Sequence, residues 1–444
     1  MGTSRDKAAG ATYRMVRLAD AELISAYRST WLARKIVDIP AKDATRRWRA
    51  WQAAKDQITE IEAEEARIGL KGAVLKALVS ARLLGGAAIY IGTGDGNPDQ
   101  PLLPERIGKG GIQHLTVIAR DKLHPGEIDY DPDSPEFGKP AFYRLHRRNG
   151  DEVRIHPSRL VLFHGALIPE GADLIGDGWG DSALQSCLDA VKCADGIAAN
   201  AGSLVYEANV DVLHIPQLMA RLAEPGGDVE VARYLTMLAV AKGNNGMLVL
   251  DGGALVDGKT TNRTDYERKG VAFGGLAEIW DRAMQTVSGA ADIPATRLFG
   301  MSPAGQNATG ESDLQNYAQR IAALQEMEIG PALTVLDECL IRSALGARPP
   351  EIYYDWRPIR EATAKERAEV GAQTAGIIST LAGAQLFPVE TLQQAAANAM
   401  IETGALPGLE GAVEEFGLDL EAEAADPRSE EGDASGQPDT TFRL

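Results

Sequence analysis

The sequence predicts an α+β fold in which a strand-rich stretch precedes a succession of helices, and three observations predict it. Between Ala87 and Phe163, short apolar runs alternate with turn clusters rich in Gly, Pro and Asp. Between Gly226 and Val287, two helical patterns bracket a compact apolar module with glycine turns. From Ser312 to Leu340, a heptad-like apolar seam runs through Gly330 and Pro331. Strands followed by helices, rather than alternating with them, mark the α+β class.

Residues 1–18 show no apolar periodicity and are expected to be disordered. A helix follows on Leu23, Tyr27, Trp31, Ile36 and Ile39, with Pro40 expected to end it. The next run, Lys42–Lys55, holds Arg46, Arg47, Trp48, Arg49 and Trp51. It reads as an amphipathic helix with a solvated basic face, or as a phosphate-binding patch with stacking aromatics. The commoner outcome is the helix. Strands are expected at Ala87–Ile91, Thr116–Ile118, Ala141–Leu145 and Leu160–Phe163, and a helix over 181–207.

Asp228 opens a helix on Val231, Leu235 and Leu238 that dies at Lys242–Gly243. A β module follows, with Met247, Leu248, Val249 and Leu250, the turn Asp251–Gly253, and polar residues to Gly270. Leu276, Ile279, Trp280, Ala283, Met284 and Val287 then form one stripe at helical spacing. After Pro294 comes a loop of small residues from Phe299 to Gly310. Ser312 is expected to start a long helix, with Gln315 as its capping-box partner. Its seam is Leu314, Tyr317, Ile321 and Leu324, resuming at Leu333, Leu336 and Leu340. Pro331 lacks an N–H and clashes with the preceding turn, so a kinked helix of about thirty residues, ~45 Å long, is expected. Ala-rich helices run to about Gly404, and an acidic tail from Glu410 is expected to be disordered.

At 444 residues the chain allows two or three cores, and 44% hydrophobic content with 24% charge suits a globular protein. Lys76 and Arg82 interrupt the longest apolar stretch, Gly72–Gly92, so no membrane span is expected. The opening MGTSRDKAAG lacks the apolar segment of a secretory signal. Cys187, Cys193 and Cys339 are too few and too ill-spaced for a zinc site or a disulfide frame. A net charge of −18 argues against a surface that grips nucleic acid throughout, yet it allows DNA to slide past.

Four motifs invite chemistry. Gly253–Thr260, with Gly258 and Lys259, matches the P-loop pattern of a nucleotide hydrolase. A P-loop lysine must open a helix, however, and Thr261–Gly270 carries no apolar stripe; a hairpin is the plainer reading. His114 with Thr116, and His156 with Ser158, resemble the paired histidines of two-histidine phosphoesterases, which exchange protons across a phosphate. Pro157 suits a turn instead. Asp129, Asp131, Asp133 and Glu136 suggest a calcium loop but lack its glycine, with Pro132 and Pro135 present. Gly92, Gly94 and Gly96 precede no helix. No catalytic residues, cofactor or metal are therefore expected.

Three segments carry a family resemblance: Ile293–Gly300 with Ser302-Pro303-Ala304-Gly305 and Asn307–Asp313; Arg154–Phe163; and Asp38–Asp43 with Arg46. Together with the order helix, β module, helix, loop and bent helix, they resemble tailed-phage portal proteins over about residues 20–405. The resemblance implies a wing over 19–226, stem helices at 227–242 and 271–292, and a clip at 243–270. It also implies a tunnel loop at 293–311, a kinked helix at 312–346, a wing return at 347–360, a crown at 361–408 and a tail at 409–444. Arg297, Phe299, Gly300, Met301, Ser302, Pro303, Ala304, Gly305, Gln306 and Asn307 would then lie beside DNA in a channel. Met247–Leu250, Lys259 and Arg263 would meet partners at the clip, and the Leu276–Val287 stripe would pack the stem or the ring interface. The implied assembly is a ring, typically of twelve copies, at one capsid vertex of a virion built in the host cytoplasm. Its implied partners are the major capsid protein, the large terminase, the head–tail connector and double-stranded DNA.

Overall fold

The computed structural model describes residues 17–416 apart from 148–149, 170–176, 208, 246–253, 257–258, 262–264, 271–274, 301–309, 361–363, 385–386, 404–405 and 407. The chain divides into two units, Met1–Ile359 and Arg360–Leu444. The first unit opens with α1 (Asp20–Ser29), α2 (Trp31–Arg46), β1 (Arg49–Gln52), α3 (Lys55–Ile68) and α4 (Leu70–Leu84). Arg17, inside the span expected to be disordered, is placed by bonds to Asp177 at 3.1 Å and to the Gly180 carbonyl at 2.8 Å.

Pro40 does not end α2; it lies inside the helix. An interior proline orphans the carbonyl four residues earlier, here Ile36. Arg82 of α4 supplies the missing donors, with Nη2 2.9 Å from the Ile36 oxygen and Nε 3.1 Å from that of Val37. Among the described residues no carboxylate lies within ion-pair distance of Arg82. Burial, and secondarily the charge of Arg320, pulls its pKa down to about 10. Arg82→Met keeps the aliphatic stem but strands the Ile36 carbonyl, worth about 1–3 kcal/mol, and takes a second donor from Val37. A net loss of about 2 kcal/mol is expected in urea denaturation. Pro40→Ala should recover part of it in the Arg82→Met background, by restoring the helical N–H; no recovery would mean that the arginine does not serve the proline gap.

Strands β2 (Gly86–Gly92), β3 (His114–Ala119), β4 (Leu123–Pro125), β5 (Tyr143–His146), β6 (Glu152–Ile155) and β7 (Leu160–His164) build two antiparallel sheets, ordered β3–β2–β7 and β4–β5–β6. Central β2 is buried on both faces. Ala87, Ile89 and Ile91 join the main core with α4, while Ala88 meets Ile118, Leu123, Tyr143 and Ile155 in a second core. Hence its unbroken apolar text.

The expected helix over 181–207 begins later, as α5 (Leu188–Glu207), after turns at 183–187. Beyond it come β8 (Asn209–His214), α6 (Leu218–Ala223), α7 (Gly227–Asn245), β9 (Ala254–Val256), β10 (Lys259–Thr261), β11 (Asp265–Gly270) and α8 (Leu276–Ala291). The sequence pairs α7 with α8 as a stem. The structure instead packs α8 along α5. It pairs β11 antiparallel with β8, Asp265 opposite His214 and Gly270 opposite Asn209. The helix pair thus continues into a two-stranded ribbon, with α6, α7 and the β9–β10 hairpin inserted between the ribbon strands. The expected stripe on α8 splits in two. Met284 and Val287 are buried and Trp280 and Ala283 pack against the core, whereas Leu276 is half-exposed and Ile279 is 53% exposed. Trp280→Asp sets a carboxylate at the core edge and should cost about 2–3 kcal/mol, read as a lowered urea midpoint; an unchanged midpoint would show that the indole is not packed.

Next come α9 (Ala295–Phe299), α10 (Glu311–Leu324), a π-turn over Gln325–Ile329, α11 (Gly330–Leu345) and β12 (Tyr353–Trp356), which pairs antiparallel with β1. The capping box expected at Ser312 is absent, since Gly310 caps α10 with no side-chain bond. The break expected at Pro331 is taken up one turn earlier by the π-turn, which leaves Pro331 in the first turn of α11, where a missing N–H costs little. Gln325, 1% exposed, donates from Nε2 to the Ala44 and Arg47 oxygens at 2.7 and 3.1 Å, tying the π-turn to the end of α2.

The second unit holds α12 (Ala364–Gly383), α13 (Val389–Thr403) and α14 (Leu409–Phe416). Helix α14 corrects the expectation that the tail is unstructured from residue 409; residues 417–444 lie outside the described residues.

Candidate functional site

The loop of small residues is flanked by two glycines in the left-handed region. Gly300, φ +72°, closes α9, and Gly310, φ +65°, opens α10. Met301, Ser302, Pro303, Ala304, Gly305, Gln306 and Asn307 lie outside the described residues. Both flanks converge on one buried carboxylate, Asp43 of α2, whose side chain is 4% exposed. From the upstream flank Arg297 donates two bonds, Nη2 to Oδ1 at 2.7 Å and Nε to Oδ2 at 3.0 Å. From the downstream flank the Tyr317 hydroxyl donates to Oδ2 at 3.0 Å. The bonds to Asp43 raise the Arg297 pKa. Burial first, then Asp43, pushes the Tyr317 phenol up, so it stays a donor at any physiological pH.

The neighbouring backbone is braced as well. Lys35 donates to the Leu298 oxygen at 2.7 Å, and Phe299 meets Trp31 edge-on at 6.2 Å between ring centroids. Arg320 pairs with Asp292 at 2.9 Å and also bonds its carbonyl, at a residue held at φ +52°. Ser288 donates to the Ile293 oxygen at 2.6 Å. Two expected channel residues therefore have other work: Arg297 is locked to Asp43 and Phe299 packs on α2. What the arrangement does is mechanical, since it holds both ends of a nine-residue segment, 301–309, against one helix.

The other predicted sites disperse. In the basic, Trp-containing run, α2 continues through Arg46 and β1 starts at Arg49, so the run is not one helix. Trp48 and Trp51 are buried and donate to Glu65 at 3.1 and 3.3 Å, which excludes them from base stacking. The Arg49 side chain is fully enclosed, bonded to Glu65 at 2.8 Å and to Asp337, with its guanidinium 4.6 Å from the Trp51 and Tyr354 rings. Burial pushes the Asp337 carboxyl up and Arg49 only partly offsets it.

Lys259 and Thr260 lie in β10, opposite Val256 and Leu255, so the P-loop match is a hairpin with no helix to hold phosphates. Met247, Leu248, Val249, Leu250 and Arg263 lie outside the described residues. His114 and His156 lie on different elements. His114 is opposite Gly92 on a sheet edge; His156 caps a short helical turn, its Nδ1 2.8 Å from the Ser158 hydroxyl. Burial lowers the His156 pKa. The acidic loop uses Asp129 and Asp131 to bond backbone N–H groups two residues on, and no metal-holding cluster occurs among the described residues. No helix of the described residues is long and apolar enough to cross a membrane.

A protein of Caulobacter sp. (strain RHG1) named anti-CBASS protein Acb1 is 41% identical over 97% of this chain and 70% of its own length. A protein of Sphingomonas paeninsulae with the same name is 39% identical over 92% of this chain, which spans only 65% of that relative. A chain in the neck of an empty GTA particle, computed with C6 symmetry, matches with a TM-score of 0.50 at 15% identity, over 87% of this chain and 94% of that one. At that identity the likeness is one of fold. Residues 21–380 match the family model of phage portal proteins, a structural rather than enzymatic family. With Asp43, α9 and the π-turned helix all inside that match, the chain belongs to the phage portal protein family.

Proposed function

We propose that copies of this chain close into a ring, typically of twelve, at one capsid vertex and conduct double-stranded DNA during packaging and ejection. The portal family match over 21–380 carries the reading. The likeness to a neck chain of a GTA particle supports it at the level of fold. A closed ring needs a head-to-tail interface, which the half-exposed Leu276 and the exposed Ile279 are available to join. The strongly acidic total, −18 per copy, repels phosphates and leaves DNA free to move axially. The ribbon and its insertion, with β9 and β10, are the proposed clip, docking the large terminase and later the head–tail connector. The helices of the second unit are the proposed crown, and the major capsid protein surrounds the ring. Negative-stain images and mass measurement of the purified protein test this. Rings with a central opening wide enough for duplex DNA are expected; a compact monomer would end the reading.

The anti-CBASS role named for the two relatives is assigned here to the part of them that this chain does not span. His114 and His156 sit on different elements, and the two histidines whose rings meet, His124 and His146 at 4.8 Å between centroids, stand in His-Pro-Gly and His-Arg-Arg rather than in the His-x-Thr/Ser pattern of a phosphoesterase. The purified chain is accordingly expected to leave cyclic oligonucleotides intact. Metal-independent cleavage lost on His114→Ala would reverse that assignment.

A further inference from the structure

The cleft between the end of α2, β1 and the start of α4 is not accounted for by the channel reading. It measures about 370 Å³ and is lined by Arg46, Arg47, Lys71 and Arg357, with Arg49 and Glu65 beside them. Four long-chain cations around one cleft are unexpected on a chain of net charge −18. Glu65 is already engaged by Arg49 and by both indole N–H groups, so it does not neutralise Arg46, Lys71 or Arg357. Glu62, exposed, is the remaining carboxylate in the lining.

Arg46, Lys71 and Arg357 are exposed, and among the described residues none has a carboxylate within ion-pair distance. Arg46 and Lys71 make only long bonds to backbone oxygens, 3.4 Å to Ile359 and 3.3 Å to Arg46, near the limit for a hydrogen bond. Their charged heads remain available. The cleft also takes in Gly69, Lys71 and Gly72 at the N-terminal turn of α4, a turn without an acidic residue, where helix polarity favours anions. Arg49 takes no part in the binding surface, since its side chain is fully enclosed and its Nη2 pairs with Glu65 Oε1 at 2.7 Å.

We propose that this cleft binds a backbone phosphate of duplex DNA. Arginine and lysine heads without acidic partners suit a phosphate, and the burial of Trp48 and Trp51 removes the aromatic faces that would read or stack on bases. Binding is therefore independent of sequence, steeply weakened by salt, and limited in strength by Glu62. The inference rests on the portal reading only for naming the anion as DNA. An acidic side chain of a neighbouring copy is the competing occupant.

The test is fluorescence anisotropy of a labelled random-sequence duplex with the full-length protein, over a series of salt concentrations. Ring content is measured in parallel by mass photometry. Wild type is expected to bind at low salt. Arg46→Ala with Lys71→Ala should weaken binding at least tenfold and flatten the log–log salt slope by about 0.9, the contribution of the one phosphate no longer neutralised. Arg46→Lys with Lys71→Arg should keep both affinity and slope. Wild type that fails to bind duplex DNA, or an alanine pair with unchanged affinity and slope, overturns the proposal. So does an alanine pair whose rings fall apart, since the cleft then seats a neighbouring copy. Absence of rings in wild type would count against the portal reading and leave the DNA titration to stand separately.

Discussion

Replacing Asp43 by alanine is expected to destabilise the fold by about 2–4 kcal/mol and to stop packaging. Breaking a buried ion pair costs about 3–5 kcal/mol when the stranded partner stays buried. Arg297 is 41% exposed and regains water once released, which lowers that cost. Tyr317, 6% exposed, does not, and its hydroxyl is left without its acceptor. Asp43→Asn keeps an acceptor for one donor and should lose roughly half as much. Urea denaturation reads the first effect, and filled-particle yield the second. A variant with the wild-type midpoint and normal yield would show that the loop flanks are held elsewhere.

Deleting Met301–Gln306 is expected to leave rings intact while packaging falls to background. The deleted residues lie between Gly300 and Asn307, so Arg297, Lys35, Tyr317 and Arg320 keep every bond that braces the flanks. The change acts on the proposed channel lining and not on the core. Packaging of full-length genomes by this variant would remove the loop from the mechanism, whatever its effect on stability. The two variants also separate causes: the Asp43 change loosens the frame, and the deletion removes what the frame holds.

Much of the fold is written in local pattern. The Leu276–Val287 stripe appears as α8, the run Ala87–Ile91 as the doubly buried β2, and the seam from Leu314 to Leu340 as α10 and α11. Each is a statement about residues within a few turns or one strand, where spacing alone sets which side chains share a face. The errors that misplace the packing involve partners remote in sequence, whereas the missing cap at Ser312 and the helix α14 are local misreadings. Pro40 reads as a stop because the pattern around it holds no donor; the donor is Arg82, two helices later. Trp48 and Trp51 read as a possible stacking surface because Glu65 and Tyr354 are not their sequence neighbours. Residues 227–242 read as the partner of α8, but α5, on the other side of the ribbon, occupies that place.

The candidate site divides along the same line. The small-residue loop, its glycine borders and the Asp38–Asp43 segment were legible, and with them the family, because they depend on composition and short motifs. That Asp43 joins Arg297 and Tyr317 was not, for these partners lie 254 and 274 residues away. Hydrophobic period is a property of a single element, so one chain read in order suffices to find it. A buried charge instead needs its counter-charge brought to it through space, and only the packed arrangement of α2, α9 and α10 selects which one arrives.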